Sequence, residues 1–317
     1  MSERTACVGV TAIACQENGG ASVAAPLRLV GLPALMDITS GKPETIMALI
    51  DGPVALGHPS IETENIRVLP ARFGAACSRP DSTACAHGTF VAGVLHAKRG
   101  APAPGICPGC TLLVRPIFSE APVVGKTDGL PDATPAELAT AIFDVIEAGA
   151  RIINLSAGLA GLCLRDGRDL EQALAHAAVH GVIVVAASGN QGTVGSSTIT
   201  RHSSVIPVVA CDSYGQILPL SNLGASIGRG VVAPGHDITS LSASGGHTTL
   251  SGTSVAVPFV AGTIALLWSA FPTASAVEVR RAVTGSSSRH RSVTPALLNA
   301  RTAYQALASM EHGRHPR

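Results

Sequence analysis

Three side chains in this chain stand where nucleophilic chemistry would need them. A serine hydroxyl is a weak nucleophile until a base takes its proton, and the base is usually a histidine oriented by a buried carboxylate. Ser254 sits in Ser251-Gly252-Thr253-Ser254-Val255-Ala256-Val257-Pro258, at the entrance of a long apolar run. A helix starting there would turn unpaired N–H groups and the positive end of its dipole toward a developing negative charge. The plainer reading of such a serine is a helix cap. His87 opens a second apolar stretch, His87-Gly88-Thr89-Phe90-Val91-Ala92-Gly93, whose small residues suit close packing, and the ten other histidines lack a comparable setting. Asp51 ends the apolar run Ile46-Met47-Ala48-Leu49-Ile50 and precedes Gly52-Pro53. An acid there is often only a turn-former, but its place ahead of His87 and Ser254 in the chain favours the orienting carboxylate.

The elements that must position these residues alternate. Apolar strand-like runs cover residues 45–50, 111–117, 151–155, 182–187 and 205–210. Thr134-Pro135-Ala136-Glu137 is a capping box with proline at the first helical position, opening a helix to Glu147 that Gly149 ends. A second helix over residues 169–180 is closed by Gly181, and Ser275-Ala276-Val277-Glu278 is another capping box. Strands alternating with helices predict an α/β fold of three layers: a doubly wound, mostly parallel sheet with helices on both faces. In such folds active sites gather at the carboxyl ends of the strands, where Asp51 and Asn190 lie. The chain divides into an N-terminal arm over residues 1–43, with a short helix near 29–40 packed on the rest, one domain over 44–309, and a flexible tail over 310–317.

Composition narrows the class. Of 317 residues, 46% are hydrophobic and 14% charged, which excludes a disordered chain, and 3% aromatics leave Ala, Val, Leu and Ile to build the core. A net charge of +1 without a basic stripe argues against a nucleic-acid partner. Residues 255–271 are apolar apart from Thr263 and Ser269; the run is short for a membrane span and reads as a core helix, so no membrane is expected. The apolar run over residues 6–15 follows a single Arg4 and makes a poor secretory signal. The expected location is the cytoplasm, with secretion as the alternative. The eight cysteines, Cys107-Pro108-Gly109-Cys110 among them, are read first as separate thiols, then as local disulfides, Cys77 with Cys85 foremost, and third as a structural zinc site.

The order Asp51, His87, Ser254 and the motifs around them resemble the subtilisin-like serine peptidases, the subtilases. Residues 251–258 are similar to the family's serine signature and residues 87–93 to its histidine signature. Ala187-Ser188-Gly189-Asn190-Gln191-Gly192 resembles the segment that supplies the oxyanion-hole asparagine. Asn154-Leu155-Ser156-Ala157-Gly158 resembles the strand that pairs with the substrate backbone, and Val232-Ala233-Pro234-Gly235 a turn ahead of the serine. The resemblance spans residues 45–307. It implies a serine endopeptidase with Asp51, His87 and Ser254 as triad, Asn190 in the oxyanion hole, and Ser156, Ala157 and Gly158 lining the substrate.

Departures from the family sharpen the expectation. Asp51-Gly52-Pro53-Val54 lacks the hydroxyl residue that usually follows the aspartate, and with Ile117-Phe118 this resembles the peptidases that mature ribosomally made peptides of the cyanobactin type. Phe259 replaces a usual histidine. Ser60 stands where many relatives place a calcium-binding aspartate, so neither metal nor cofactor is expected. Gln191 follows Asn190 where many relatives carry an acid, which favours neutral or apolar side chains near the cut. The expected partner is a peptide or precursor peptide. A broad-specificity housekeeping subtilase, a peptide ligase or cyclase, and an inactive peptide-binding relative remain open on the residues alone.

Overall fold

A computed structural model describes residues 7–10, 13–14, 23–72, 74–121, 132–160, 167–285 and 294–314. Its strands in chain order are β1 (Cys7–Val10), β2 (Ile13–Ala14), β3 (Ile46–Asp51), β4 (Ile66–Val68), β5 (Thr111–Pro116), β6 (Asp132–Ala133), β7 (Ile152–Leu155), β8 (Ala157–Ala160), β9 (Ile183–Ala187), β10 (Val205–Cys211), β11 (Val231–Pro234), β12 (Ile238–Leu241), β13 (His247–Ser251) and β14 (Ala296–Leu297). The helices are α1 (Ala24–Leu29), α2 (Leu32–Ile38), α3 (Thr83–His96), α4 (Pro135–Glu147), α5 (Gly167–Val179), α6 (Thr198–Arg201), α7 (Thr253–Ala270), α8 (Ala276–Thr284) and α9 (Ala300–Arg314).

Eight strands form the central sheet in the order β14-β11-β10-β9-β7-β3-β5-β4, and the pairs along it are parallel. From β3 the chain goes first to β4 at the edge, comes back to lay β5 between them, then crosses to lay β7, β9, β10 and β11 on the other side. β3 is therefore the switch point of the winding, where doubly wound folds open a crevice at the carboxyl ends. Asp51 is its last residue.

Strand parity decides which way each side chain faces. Met47 and Leu49 of β3, with Val185 and Ala187 of β9, pack into a core shared with α3 and α7. Ala48 and Ile50, with Val184 and Ala186, pack into a second core beneath α4 and α5. Asp51 has the parity of Met47 and Leu49, so it faces the α3/α7 layer.

α7 lies at the centre of that layer. It is long and apolar enough to cross a membrane, yet 94% of it is buried inside the domain, which makes it a core helix. The expected capping box at Ser275 is in place, and the one at Thr134 is half-formed, with the Glu137 carboxylate accepting from Arg115 instead. Thr134 Oγ1 accepts from Glu137 N at 3.1 Å, and Ser275 Oγ accepts from Glu278 N at 3.3 Å while Glu278 Oε2 takes Ser275 N at 2.8 Å. The helix expected near residues 29–40 is two short helices, α1 and α2, which bury Leu27, Val30, Leu32 and Leu35 in the core. α9 runs on to Arg314, past the point where a tail is expected to begin, because Met310 packs against the same core.

The cysteines need a correction. Cys77 and Cys85 are bridged, with Cα atoms 5.6 Å apart, so the reading of the cysteines as separate thiols fails for this pair. Cys107, Cys110 and Cys211 are free and buried. Cys107 Sγ lies 3.5 Å from Met47 Sδ and Cys110 Sγ 3.7 Å from Ser269 Oγ, so the Cys-x-x-Cys turn is core packing. Glu120 approaches the bridge closely enough to suggest a metal cluster. The two sulfurs are spent on each other, however, and the carboxylate already accepts from Ser78 Oγ at 2.6 Å and Arg79 N at 2.9 Å.

Candidate active site

His87 bridges the other two candidates. Its Nδ1 lies 2.8 Å from Asp51 Oδ1 and its Nε2 3.0 Å from Ser254 Oγ. A carboxylate can only accept, so Nδ1 carries the proton and Nε2 is left as the acceptor for the serine hydroxyl. Asp51 and Ser254 are 0% exposed and His87 2%.

The elements bring the three together through close backbone approach. α3 starts at Ser82, whose Oγ accepts from Cys85 N at 3.2 Å, and its first turns run against the chain leaving β3. A Cβ on Gly52 would collide with the Ala84 carbonyl, and one on Gly88 with the Gly52 and Pro53 carbonyls. These glycines let α3 sit against the exit of β3, which places the His87 ring on the Asp51 carboxylate. The same contact explains why no hydroxyl residue follows Asp51: no side chain fits there. Gly52 N donates instead to Asp51 Oδ1 at 2.7 Å, and Asp51 Oδ2 is buried without a partner.

Ser254 is the second residue of α7. The cap position, Gly252, makes no side-chain cap bond. One orphan donor of the first turn, Thr253 N, is taken by Asn190 Oδ1 at 2.9 Å, and Thr253 Oγ1 donates to the same oxygen at 2.8 Å. With Oδ1 so fixed, the amide Nδ2 of Asn190 must point the other way, and it is buried with no partner. An unpaired buried donor costs stability; beside a nucleophile it is a donor held in reserve for an anion.

The loop carrying Asn190 depends on a residue the sequence reading missed. Gly189, at φ 102°, turns the chain out of β9. Asn222 then clamps the turn: its Oδ1 accepts from Gln191 N and Thr193 N, both at 3.1 Å, and its Nδ2 donates to Ser188 O at 3.1 Å. Nothing in the stretch around Asn222 signals this role, because its partners lie about thirty residues away and are chosen by the fold. Thr253 was legible only as part of the serine motif.

Of the expected substrate-lining residues, Ser156 is buried, and its Oγ accepts from Asn154 Nδ2 at 2.8 Å. Ala157 and Gly158 begin β8, which pairs antiparallel with β1. At Ser60, the N–H donates to His58 Nδ1 at 3.1 Å, and His58 Nε2 lies 3.0 Å from Gly246 O. Hydrogen bonds to one histidine therefore hold together a corner where an acid would be needed for a cation.

Comparison with known proteins identifies the family and the fold. The family described as the subtilase family matches over residues 43–306. A thermophilic serine proteinase of Bacillus sp. (strain AK1) is 32% identical over 249 residues, which cover 78% of this chain and 57% of that protein. Among solved structures, a mutant of the protease domain of PatA is 33% identical with a TM-score of 0.77, over 85% of this chain and 97% of that one. The prenylagaramide maturation protease PagA is 28% identical with a TM-score of 0.75, over 87% and 98%.

Proposed function

Since the chain belongs to the subtilase family, we propose that it is a serine endopeptidase that processes a precursor peptide. The observation that carries this is the His87 imidazole held between Asp51 and Ser254, beside an asparagine amide with nothing to bind. Ser254 Oγ attacks the scissile carbonyl carbon while His87 Nε2 takes the hydroxyl proton. Asp51 holds the ring and stabilises the imidazolium. The oxyanion that forms accepts from Asn190 Nδ2 and from the Ser254 N–H, which the start of a helix leaves without an intrahelical acceptor. As the C–N bond breaks, His87 returns its proton to the departing amine. Water, activated by the same imidazole, then cleaves the ester and regenerates the hydroxyl.

A substrate in this reading binds extended, as a strand added to the edge formed by Ser156, Ala157 and Gly158. Processing is favoured over digestion by the likeness to PatA and to PagA, the latter a maturation protease by name, and by Asp51-Gly52-Pro53-Val54. The test has two arms. A fluorophosphonate probe labels the wild type and not Ser254→Ala, with unchanged circular dichroism; labelling of the variant overturns the assignment. Mass spectrometry of casein digests shows few or no cuts; rapid conversion to many fragments overturns the processing role. The same spectra, taken with a candidate precursor, tell hydrolysis from transfer to an amine by the mass of one water.

A further inference from the structure

Away from the active site, two histidines stand one turn apart at the carboxyl end of α5. His176 lies in the last turn of the helix and His180 directly follows it. The helical ladder carries on across them, since His180 N donates to His176 O at 3.1 Å. A spacing of four residues on a helix puts both side chains on one face. Their ring centroids are 4.0 Å apart, with the planes tilted by 41°.

The protons and lone pairs of these rings are arranged for coordination. His180 Nδ1 lies 2.9 Å from His176 O. A carbonyl can only accept, so Nδ1 carries the proton and the lone pair of Nε2 is left for a ligand. A hydrogen bond of this kind is what orients a metal-ligating histidine. The His176 ring leans on Phe143 of α4, with centroids 5.1 Å apart, which limits its rotation. Among the described residues, neither of its nitrogens has a hydrogen-bond partner.

Two further features suit a cation. The last carbonyls of a helix form the negative end of its dipole. A carboxylate is also close at hand. α4 and α5 both link parallel strands of the central sheet and bury their apolar faces in the same core, so the two helices run in the same direction. Glu147, exposed at the end of α4, lies one turn beyond Phe143, as His180 lies one turn beyond His176. It therefore stands at the level of His180 on the neighbouring helix.

The geometry points to a zinc site formed by His176, His180 and Glu147. Imidazole nitrogen and carboxylate oxygen are usual zinc donors at about 2.0–2.2 Å, so two donors of one ion lie within about 4.4 Å of each other, a spacing that these rings match. Three protein ligands leave a fourth position to water. The ion cross-links α4 to α5 on the face of the sheet away from α7. Its ligands are at the surface, so it exchanges with solvent and has to be supplied in the experiment.

Isothermal titration calorimetry of the full chain with zinc chloride, after EDTA treatment and removal of the chelator, tests the site. The other histidines supply a background common to every variant. Glutamine keeps a polar side chain but is a poor zinc ligand, and losing one imidazole breaks the chelate. His180→Gln and His176→Gln are each expected to weaken one zinc site by at least about tenfold. Superimposable isotherms of wild type and His180→Gln overturn the site. His180 is exposed, so this variant keeps its fold, which circular dichroism checks, and it decides the matter should His176→Gln disturb the packing on Phe143. Glu147→Gln is expected to weaken the same site severalfold; unchanged affinity overturns the link between the helices. Saturating zinc should also raise the melting temperature of the wild type by a few degrees and leave that of His180→Gln where it was; equal shifts overturn the assignment. None of these readouts involves Ser254, so the result stands apart from the peptidase reading.

Discussion

Asn190 shows how one side chain is divided between structure and chemistry. Its oxygen is spent on Thr253 N and Oγ1, and that bond aims the amide nitrogen. Replacing it by alanine removes the oxyanion donor and also frees the first turn of α7. Asn190→Ala is expected to lower kcat by about 10²–10³, a magnitude taken over from the loss of one such donor in a subtilisin, with KM little changed. Steady-state kinetics on a cleaved peptide check this; a loss below tenfold would remove the amide from the oxyanion hole. At Asp51 the unpaired Oδ2 follows from Gly52, so the carboxylate is oriented by a single backbone N–H and the imidazole.

At the scale of elements, the register between β3 and α3 is what assembles the triad. Gly88→Ala would press a methyl group on the Gly52 and Pro53 carbonyls. Overpacking of this kind costs about 1–3 kcal/mol, and here it also moves His87 off Asp51. The expected outcome is a lower melting temperature together with a loss of activity larger than the unfolded fraction accounts for; normal values of both would show that the helix can shift freely. The loop ahead of α3 is tied down twice, by the Cys77–Cys85 bridge and by Glu120. Partial burial pushes the Glu120 carboxyl up, but hydrogen bonds from the Ser78 hydroxyl and N–H, the Arg79 N–H and the Ser82 hydroxyl outweigh it and leave the group below its ordinary value. A depressed carboxylate contributes stability above its unfolded pKa, and that contribution is lost as pH falls through the lower folded one. The deficit of Glu120→Gln against wild type should therefore be full above about pH 5 and should shrink as pH falls below about 4. Thermal melts across that range would expose a constant deficit, which would mean that the bonds do not depend on charge.

For the molecule as a whole, cation dependence is the open stability question. A saturated calcium site of ordinary affinity adds several kcal/mol, and its removal lowers the melting temperature by several degrees. The corner at Ser60 is held by His58 and Gly246 rather than by carboxylates. EDTA is thus expected to leave the melting temperature unchanged, and a fall of several degrees would place a cation elsewhere in the fold.

Local chemistry by itself determined much of this protein. Residues 45–50, 151–155 and 182–187 read as strands because they are short, mostly apolar runs rich in Ile, Val, Leu and Ala. The caps at Thr134 and Ser275 read as helix starts because their donors and acceptors lie three residues apart. Asp51, His87 and Ser254 could be named because each sits at the end or start of an apolar element, where a polar side chain needs a reason. What tertiary structure alone decided depends on partners distant in sequence. Asn222 clamps the Asn190 loop from about thirty residues away, Gly52 and Gly88 are required by a packing contact between two elements, and Cys77 could meet Cys85 only once the loop between them had folded back. The pairing of residues 7–10 with β8 and of residues 13–14 with β13 belongs with these. A short apolar run can add to many strand edges, and only the assembled fold selects which one.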